Sequence, residues 1–195
     1  MYKRQGEGEN ETTVLAVIQK EIDSLLPLID KYVFGFDDEE IEQAIGRLLS
    51  EQNYTISTAE SCTGGYLAHK ITSVSGSSAW FQGGMIPYSN AIKIEQLGVP
   101  QEILETYGAV SENVVKSLAE NVRKKFNTDV GLSVSGVAGP SGGSIEKPVG
   151  TVWIAYADHQ KTVAKKFYFT QDRMLNIQYT ATAALNMLRL NLNGE

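Results

Sequence analysis

Histidine and cysteine are nearly absent from this chain of 195 residues, which carries two of the first and one of the second. A single cysteine excludes an intrachain disulfide and a metal site built from several thiolates, and it suits a reducing compartment. With only His69 and His159, a Ser–His–Asp or Cys–His arrangement is poorly supplied. Positive charge is short as well: 17 Lys and Arg face 23 Asp and Glu, for a net charge of −6. A broad nucleic-acid or anionic-membrane surface is therefore disfavoured. An anionic ligand would have to be met locally, by a few basic side chains or by backbone N–H groups. No apolar run approaches membrane-spanning length, and Met1 leads into polar, charged residues rather than a signal sequence. What is present is ordinary for a globular fold: 42% hydrophobic residues, enough for one domain with a full core and no staples.

The pattern of elements is helix alternating with strand. A polar stretch, Gln5 to Thr12, reads as a loop or frayed start. Val14, Ile18, Ile22, Leu25 and Leu26 then form a helical stripe that Pro27 should end or kink. Asp37 and Asp38 resemble a helix start, followed by Ile41, Ala44, Ile45, Leu48 and Leu49 on one face. NYTISTA is a short strand, SCTGGYLAHKITSV a helix entered at Ser61, GGMIPYSN another strand, and AIKIEQLG a short helix capped by Gly98. Ser111 caps the clearest helix, whose inner face carries Val114, Val115, Leu118, Val122 and Phe126. DVGLSVSG is a strand that runs into a glycine-rich loop. TVWIAYA and KTVAKKFYF form a hairpin, and Asp172 opens a final helix. Trp80 defaults to the core. The expected fold is a three-layer α/β/α domain with a mixed central sheet over residues 37–195, preceded by a helical flank over residues 1–36.

Three stretches could carry chemistry. In TAESCTGGYLA, a hydroxyl and a thiol adjoin at Ser61 and Cys62, on a strand-to-helix turn where unpaired N–H groups would be ready oxyanion donors. Gly64 and Gly65 would admit a close approach. The plainer alternative makes Ser61 a helix cap and Cys62 a small buried hydrophobe. A nucleophilic serine without histidine needs a lysine or tyrosine base, and the lysine must be desolvated. YSNAIK offers Tyr88 and Lys93, with Asn90 as a hydrogen-bonding group; a surface lysine and a capping turn are the alternative. The loop after Ser133 and Ser135 could present N–H groups to a phosphate, but matches neither the dinucleotide fingerprint nor the P-loop. Arg173, in the first turn of the last helix, could meet an anion or be merely solvated.

Together, AESCTGG, GSSAWFQGG, YSNAIK, GAVSE, SGVAGPSGGSIEKPVGTVW and the Asp172–Arg173 pair resemble the C-terminal domain of the competence/damage-inducible CinA proteins, in colinear order from Glu39 to Leu192. The resemblance implies a cytoplasmic amidohydrolase that converts nicotinamide mononucleotide to nicotinate mononucleotide and ammonia, with no metal and no cofactor. It implies Ser61 as nucleophile and Tyr88 with Lys93 as the proton-transfer pair. It further implies substrate contacts from Thr63, Gly64, Gly65, Asn90, Ser133, Ser135, Gly136, Gly139, Gly142, Gly143 and Arg173, and a homodimer without nucleic-acid or membrane partners. A ligand-binding domain without turnover, or an amidohydrolase for another amide, fits the same motifs. Three positions depart from the family pattern: Pro87 where a strand former is usual, Ser141 where an acid is common, and Gln171 where glycine often precedes Asp-Arg. Of these, Pro87 bears most on where Tyr88 sits. The segment LLPLIDKYVFGFDDEE resembles the joint that precedes this domain in two-domain members.

Overall fold

The structure, a computed structural model, describes residues 6–194; Met1 to Gln5 and Glu195 lie outside them. The chain divides into two compact units, Met1–Glu39 and Glu40–Glu195. In the first, Asn10 caps helix α1 (Glu11–Ile29) by accepting from the Thr13 N–H at 2.9 Å. Pro27 does not end α1, which runs two residues beyond it before a 3-10 turn at Asp30–Tyr32. Near the end of the helix the proline costs one backbone bond, that to the Asp23 carbonyl, and only two residues follow it. None of the residues of α1 is buried.

The second unit is a three-layer α/β/α domain. Its elements run α2 (Ile41–Gln52), β1 (Ile56–Glu60), α3 (Tyr66–Thr72), β2 (Phe81–Met85), α4 (Asn90–Leu97), α5 (Gln101–Tyr107), α6 (Glu112–Phe126), β3 (Val130–Gly136), β4 (Thr151–Ala157), β5 (Thr162–Tyr168) and α7 (Arg173–Leu192). The sheet order is β2-β1-β3-β4-β5. β1 pairs in parallel with both neighbours, whereas β3, β4 and β5 are antiparallel in succession. One face packs against α2, α3 and α7 through Ile45, Leu49, Leu67, Ile71, Leu185 and Leu188, with Trp80 in the same core. The other packs against α4, α5 and α6 through Leu97, Leu104, Val114, Leu118 and Val122. β1 and β3, covered on both faces, are accordingly apolar or small apart from Glu60 at the end of β1.

Several ends differ from the pattern expected. Helix α2 starts at Ile41, not at the Asp37–Asp38 pair, because Asp37 adopts φ 54°, which no helix continues through. Glu40 caps instead, in a reciprocal box with Gln43 whose side chain accepts from the Glu40 N–H at 2.8 Å. Strand β2 stops at Met85, short of the Pro87–Asn90 stretch. Helix α5 has no counterpart in the sequence reading; it has seven residues and buries only Leu104, too little for a periodic signal.

Candidate active site

Ser61 leaves the end of β1 at the centre of the sheet, where its N–H donates to the Val134 carbonyl of β3 at 3.0 Å. The helix expected from Ser61 begins five residues later, at Tyr66. Gly64 and Gly65 take φ +61° and +101°, so the chain makes a left-handed turn before it can wind into α3. Glu60 governs this turn. Its carboxylate is 1% exposed and accepts four hydrogen bonds: from the Thr63 hydroxyl at 2.7 Å, the Gly65 and Leu67 N–H groups at 3.0 Å each, and the Ala68 N–H at 2.8 Å. The N–H groups at the head of α3 are therefore taken by Glu60 and do not face a substrate, contrary to the expectation that they would serve Ser61. The N–H groups of Cys62 and Thr63 make no backbone hydrogen bond among the described residues. Cys62 is packed into the core, and burial pushes its thiol up to about 12, far from the thiolate a nucleophile needs.

Lys93 comes from the first turns of α4, 32 residues further on, and reaches Ser61 Oγ with its Nζ at 3.3 Å. It is 1% exposed. Its other two partners are main-chain carbonyls, Pro87 at 2.7 Å and Tyr88 at 3.2 Å. Burial pushes its pKa below the ordinary lysine value. A buried ammonium with no carboxylate partner among the described residues is costly, so burial shifts Lys93 towards the neutral amine, the form that can accept a proton.

Tyr88 meets Lys93 through its carbonyl, not through its phenol. The phenol is 60% exposed and accepts from Arg173 at 3.3 Å, while the same guanidinium donates to the Gly139 carbonyl at 2.8 Å. Arg173, at the start of α7, thus ties Tyr88 to the glycine-rich loop. Ser133 and Ser135 share one face of β3 and are buried; their hydroxyls donate to the carbonyls of Val115 (2.6 Å) and Ala109 (2.8 Å). Since Ala59 pairs with Ser133, the register puts Ser135 beside Ser61 and Ser133 one step deeper. Asn90 is the exposed first residue of α4. Thr63 spends its hydroxyl on Glu60, and Gly64 is open to solvent. Gly136 lies so close to β4 that a Cβ there would stand 2.8 Å from the Thr151 carbonyl. Gly139, Gly142 and Gly143 belong to the loop that Arg173 touches. Among the described residues, no group of three or more His, Cys, Asp or Glu side chains is arranged to hold a metal ion, and no helix is long and apolar enough to cross a membrane.

Three residues matter here in ways the sequence does not announce. Glu60 is one; a carboxylate directly before a Ser-Cys-Thr-Gly-Gly turn was the available signal. Pro87 was weighed only for its effect on Tyr88. Asn176 is the third: buried in α7, it donates to the Ala138 and Thr170 carbonyls and accepts from the Thr170 N–H at 2.8 Å, so one side chain fastens the glycine-rich loop to the helix.

The sequence pattern of the family described as the CinA C-terminal domain matches residues 38–192. A "CinA-like protein" of Cytophaga hutchinsonii is 54% identical over 187 residues, covering 96% of this chain and 45% of that protein. A "putative competence-damage inducible protein" of Thermoanaerobacter pseudethanolicus is 42% identical over 187 residues, with the same 96% and 45% coverage. The chain thus spans about half the length of the curated relatives it matches. Among solved structures, a competence/damage inducible protein from Agrobacterium tumefaciens superposes with a TM-score of 0.77 at 36% identity, over 83% of this chain and 98% of that one. One from Enterobacter asburiae superposes with a TM-score of 0.75 at 28% identity, over 80% and 99%.

Proposed function

The chain belongs to the CinA C-terminal domain family, and from that premise we propose that it is an amidohydrolase in which Ser61 is the nucleophile and Lys93 its general base, acting on nicotinamide mononucleotide. The observation that carries this reading is the buried amine of Lys93, 3.3 Å from Ser61 Oγ and without a carboxylate partner among the described residues. Cys62 is set aside by its buried, high-pKa thiol.

The neutral Lys93 amine takes the Ser61 proton directly as Oγ attacks the amide carbon; the Tyr88 phenol, turned to Arg173, need not relay it. Negative charge develops on the amide oxygen, and the N–H groups of Cys62 and Thr63, which make no backbone hydrogen bond among the described residues, are the donors nearest in sequence to meet it. One such donor is typically worth about 3–4 kcal/mol of barrier. The lysine ammonium then returns the proton to the leaving nitrogen, the C–N bond breaks, and ammonia departs. Water, deprotonated by Lys93, cleaves the resulting ester to release the carboxylate and restore Ser61. Arg173, with the Gly139 loop, is the guanidinium available to an anionic phosphate, and the exposed Tyr88 ring supplies an aromatic face for a heterocycle.

The test is the release of ammonia and nicotinate mononucleotide from nicotinamide mononucleotide by the purified chain. Ser61→Ala should abolish release, Lys93→Met should lower kcat by at least about 100-fold, and Cys62→Ala should retain activity. Tight binding of the nucleotide by the wild type without turnover would favour a binding domain instead. Release of ammonia from other amides only would replace the substrate.

A further inference from the structure

A neutral primary amine has two N–H donors and one lone pair. Lys93 Nζ has three polar neighbours, and two of them, the carbonyls of Pro87 and Tyr88, can only accept. When both carbonyls are served, the lone pair is left facing the third neighbour, the Ser61 hydroxyl. The direction of the base is therefore set by two main-chain oxygens in the connection between β2 and α4. That connection is tightly built. The Tyr88 N–H donates to the Ile86 carbonyl at 2.8 Å, which closes a three-residue turn with Pro87 at its centre. The pyrrolidine ring holds φ near −65°, so the turn is of the inverse γ type and the opposite hand is closed to it. Pro87 is buried, needs no hydrogen bond for a missing N–H, and gives the shorter of the two carbonyl bonds to Lys93. Directly after it, the Ser89 hydroxyl accepts from the Ile92 N–H at 3.2 Å to start α4, so the carbonyl cage and the helix bearing Lys93 are joined by a single residue.

We propose that Pro87 is a positioning residue: by closing the Ile86–Tyr88 turn it holds its own carbonyl against Lys93 Nζ and so aims the amine lone pair at Ser61. This rests on the reading of Ser61 and Lys93 as a nucleophile and its base. The carbonyl survives any substitution at position 87; what a substitution removes is the restriction on φ. With the turn open, the amine can occupy any of three staggered orientations about its terminal bond, and only one of them aims the lone pair at Ser61. Reactivity should then fall with the fraction of time the turn is closed, while a reagent too small to reach the Tyr88 ring should bind as before.

The test uses a small alkyl fluorophosphonate, so that it does not depend on the true amide substrate. Ser61 Oγ attacks phosphorus, the P–F bond breaks, fluoride leaves, and Lys93 takes the hydroxyl proton. Time courses at several reagent concentrations separate the maximal labelling rate from the reagent's apparent affinity, with the labelled residue identified by mass spectrometry. For Pro87→Ala the maximal rate should fall about threefold, and for Pro87→Gly about tenfold, following the freedom of φ, with apparent affinity within about twofold of wild type. Thermal midpoints are measured alongside, and if the glycine variant does not fold, the alanine variant carries the comparison. Equal maximal rates in wild type and Pro87→Ala would overturn the proposal. So would a loss of affinity in step with the rate, which marks a general loosening. Failure of the wild type to label at Ser61 would overturn the nucleophile assignment itself, and is recognised before any Pro87 variant is compared.

Discussion

Glu60→Gln removes one charge and almost no volume, and its cost can be worked from the four bonds the carboxylate accepts. One carboxylate oxygen takes the Thr63 hydroxyl and the Gly65 and Leu67 N–H groups, and the other takes the Ala68 N–H. A glutamine oxygen can keep the first three. Its amide nitrogen then confronts the Ala68 N–H, donor against donor, in a site that is 1% exposed. A buried donor left unpaired costs about 1–3 kcal/mol, and bonds to a charged acceptor exceed neutral ones by about 1 kcal/mol each. Glu60→Gln should therefore destabilise the fold by about 4–6 kcal/mol, and Glu60→Ala, which strips all four donors, by more. Against a typical total of about 5–15 kcal/mol, that is a large fraction. Urea denaturation reads it as a lowered midpoint at unchanged slope. A shift of less than about 0.5 kcal/mol for Glu60→Gln would refute the reasoning, because the turn ahead of α3 would then not depend on the charge.

Two further predictions follow from the burial of Lys93 and Cys62. The pKa of Lys93 is lowered in the folded chain from 10.5, so between the lowered value and 10.5 the unfolded chain binds more protons and stability rises with pH. Relative to Lys93→Met, the wild type should gain thermal stability as pH is raised from 7 towards 10, and activity should rise on an acid limb below pH 10.5; a difference in midpoint that moves the other way would refute the assignment. Cys62, with its thiol pushed up to about 12, should resist iodoacetamide at pH 8 in the folded chain and react fully once unfolded, as mass spectrometry can count; rapid alkylation of the folded chain would show the thiol to be exposed and reactive.

Elements decided within a few residues were legible in the sequence. Ser111 and Asp172 cap α6 and α7 as their side-chain chemistry suggests, each accepting an N–H three residues on, and Gly98 ends α4 in a left-handed conformation. The β4–β5 hairpin followed from two β-rich runs with a short polar break.

Contacts between distant residues decided the rest. Whether Lys93 is a solvated surface lysine or a buried amine depends on the fold bringing α4 to Ser61 at the end of β1, and no local pattern encodes a meeting across 32 residues. By pattern alone a helix cap is the plainer reading of Ser61; it is not one, because the buried Glu60 carboxylate takes the N–H groups at the head of α3 and the Gly64–Gly65 turn separates Ser61 from the helix. Tyr88 was paired with Lys93 by proximity in sequence, whereas its phenol turns to Arg173, 85 residues away. Pro87 bears in sequence on where Tyr88 sits; in the fold it follows the end of β2 and lies at the centre of the turn whose carbonyls meet the lysine. Capping, turn and strand preferences act over a few residues and are written in the chain. The protonation state of a lysine and the aim of its lone pair depend on what surrounds it in three dimensions, and only the packed fold supplies that.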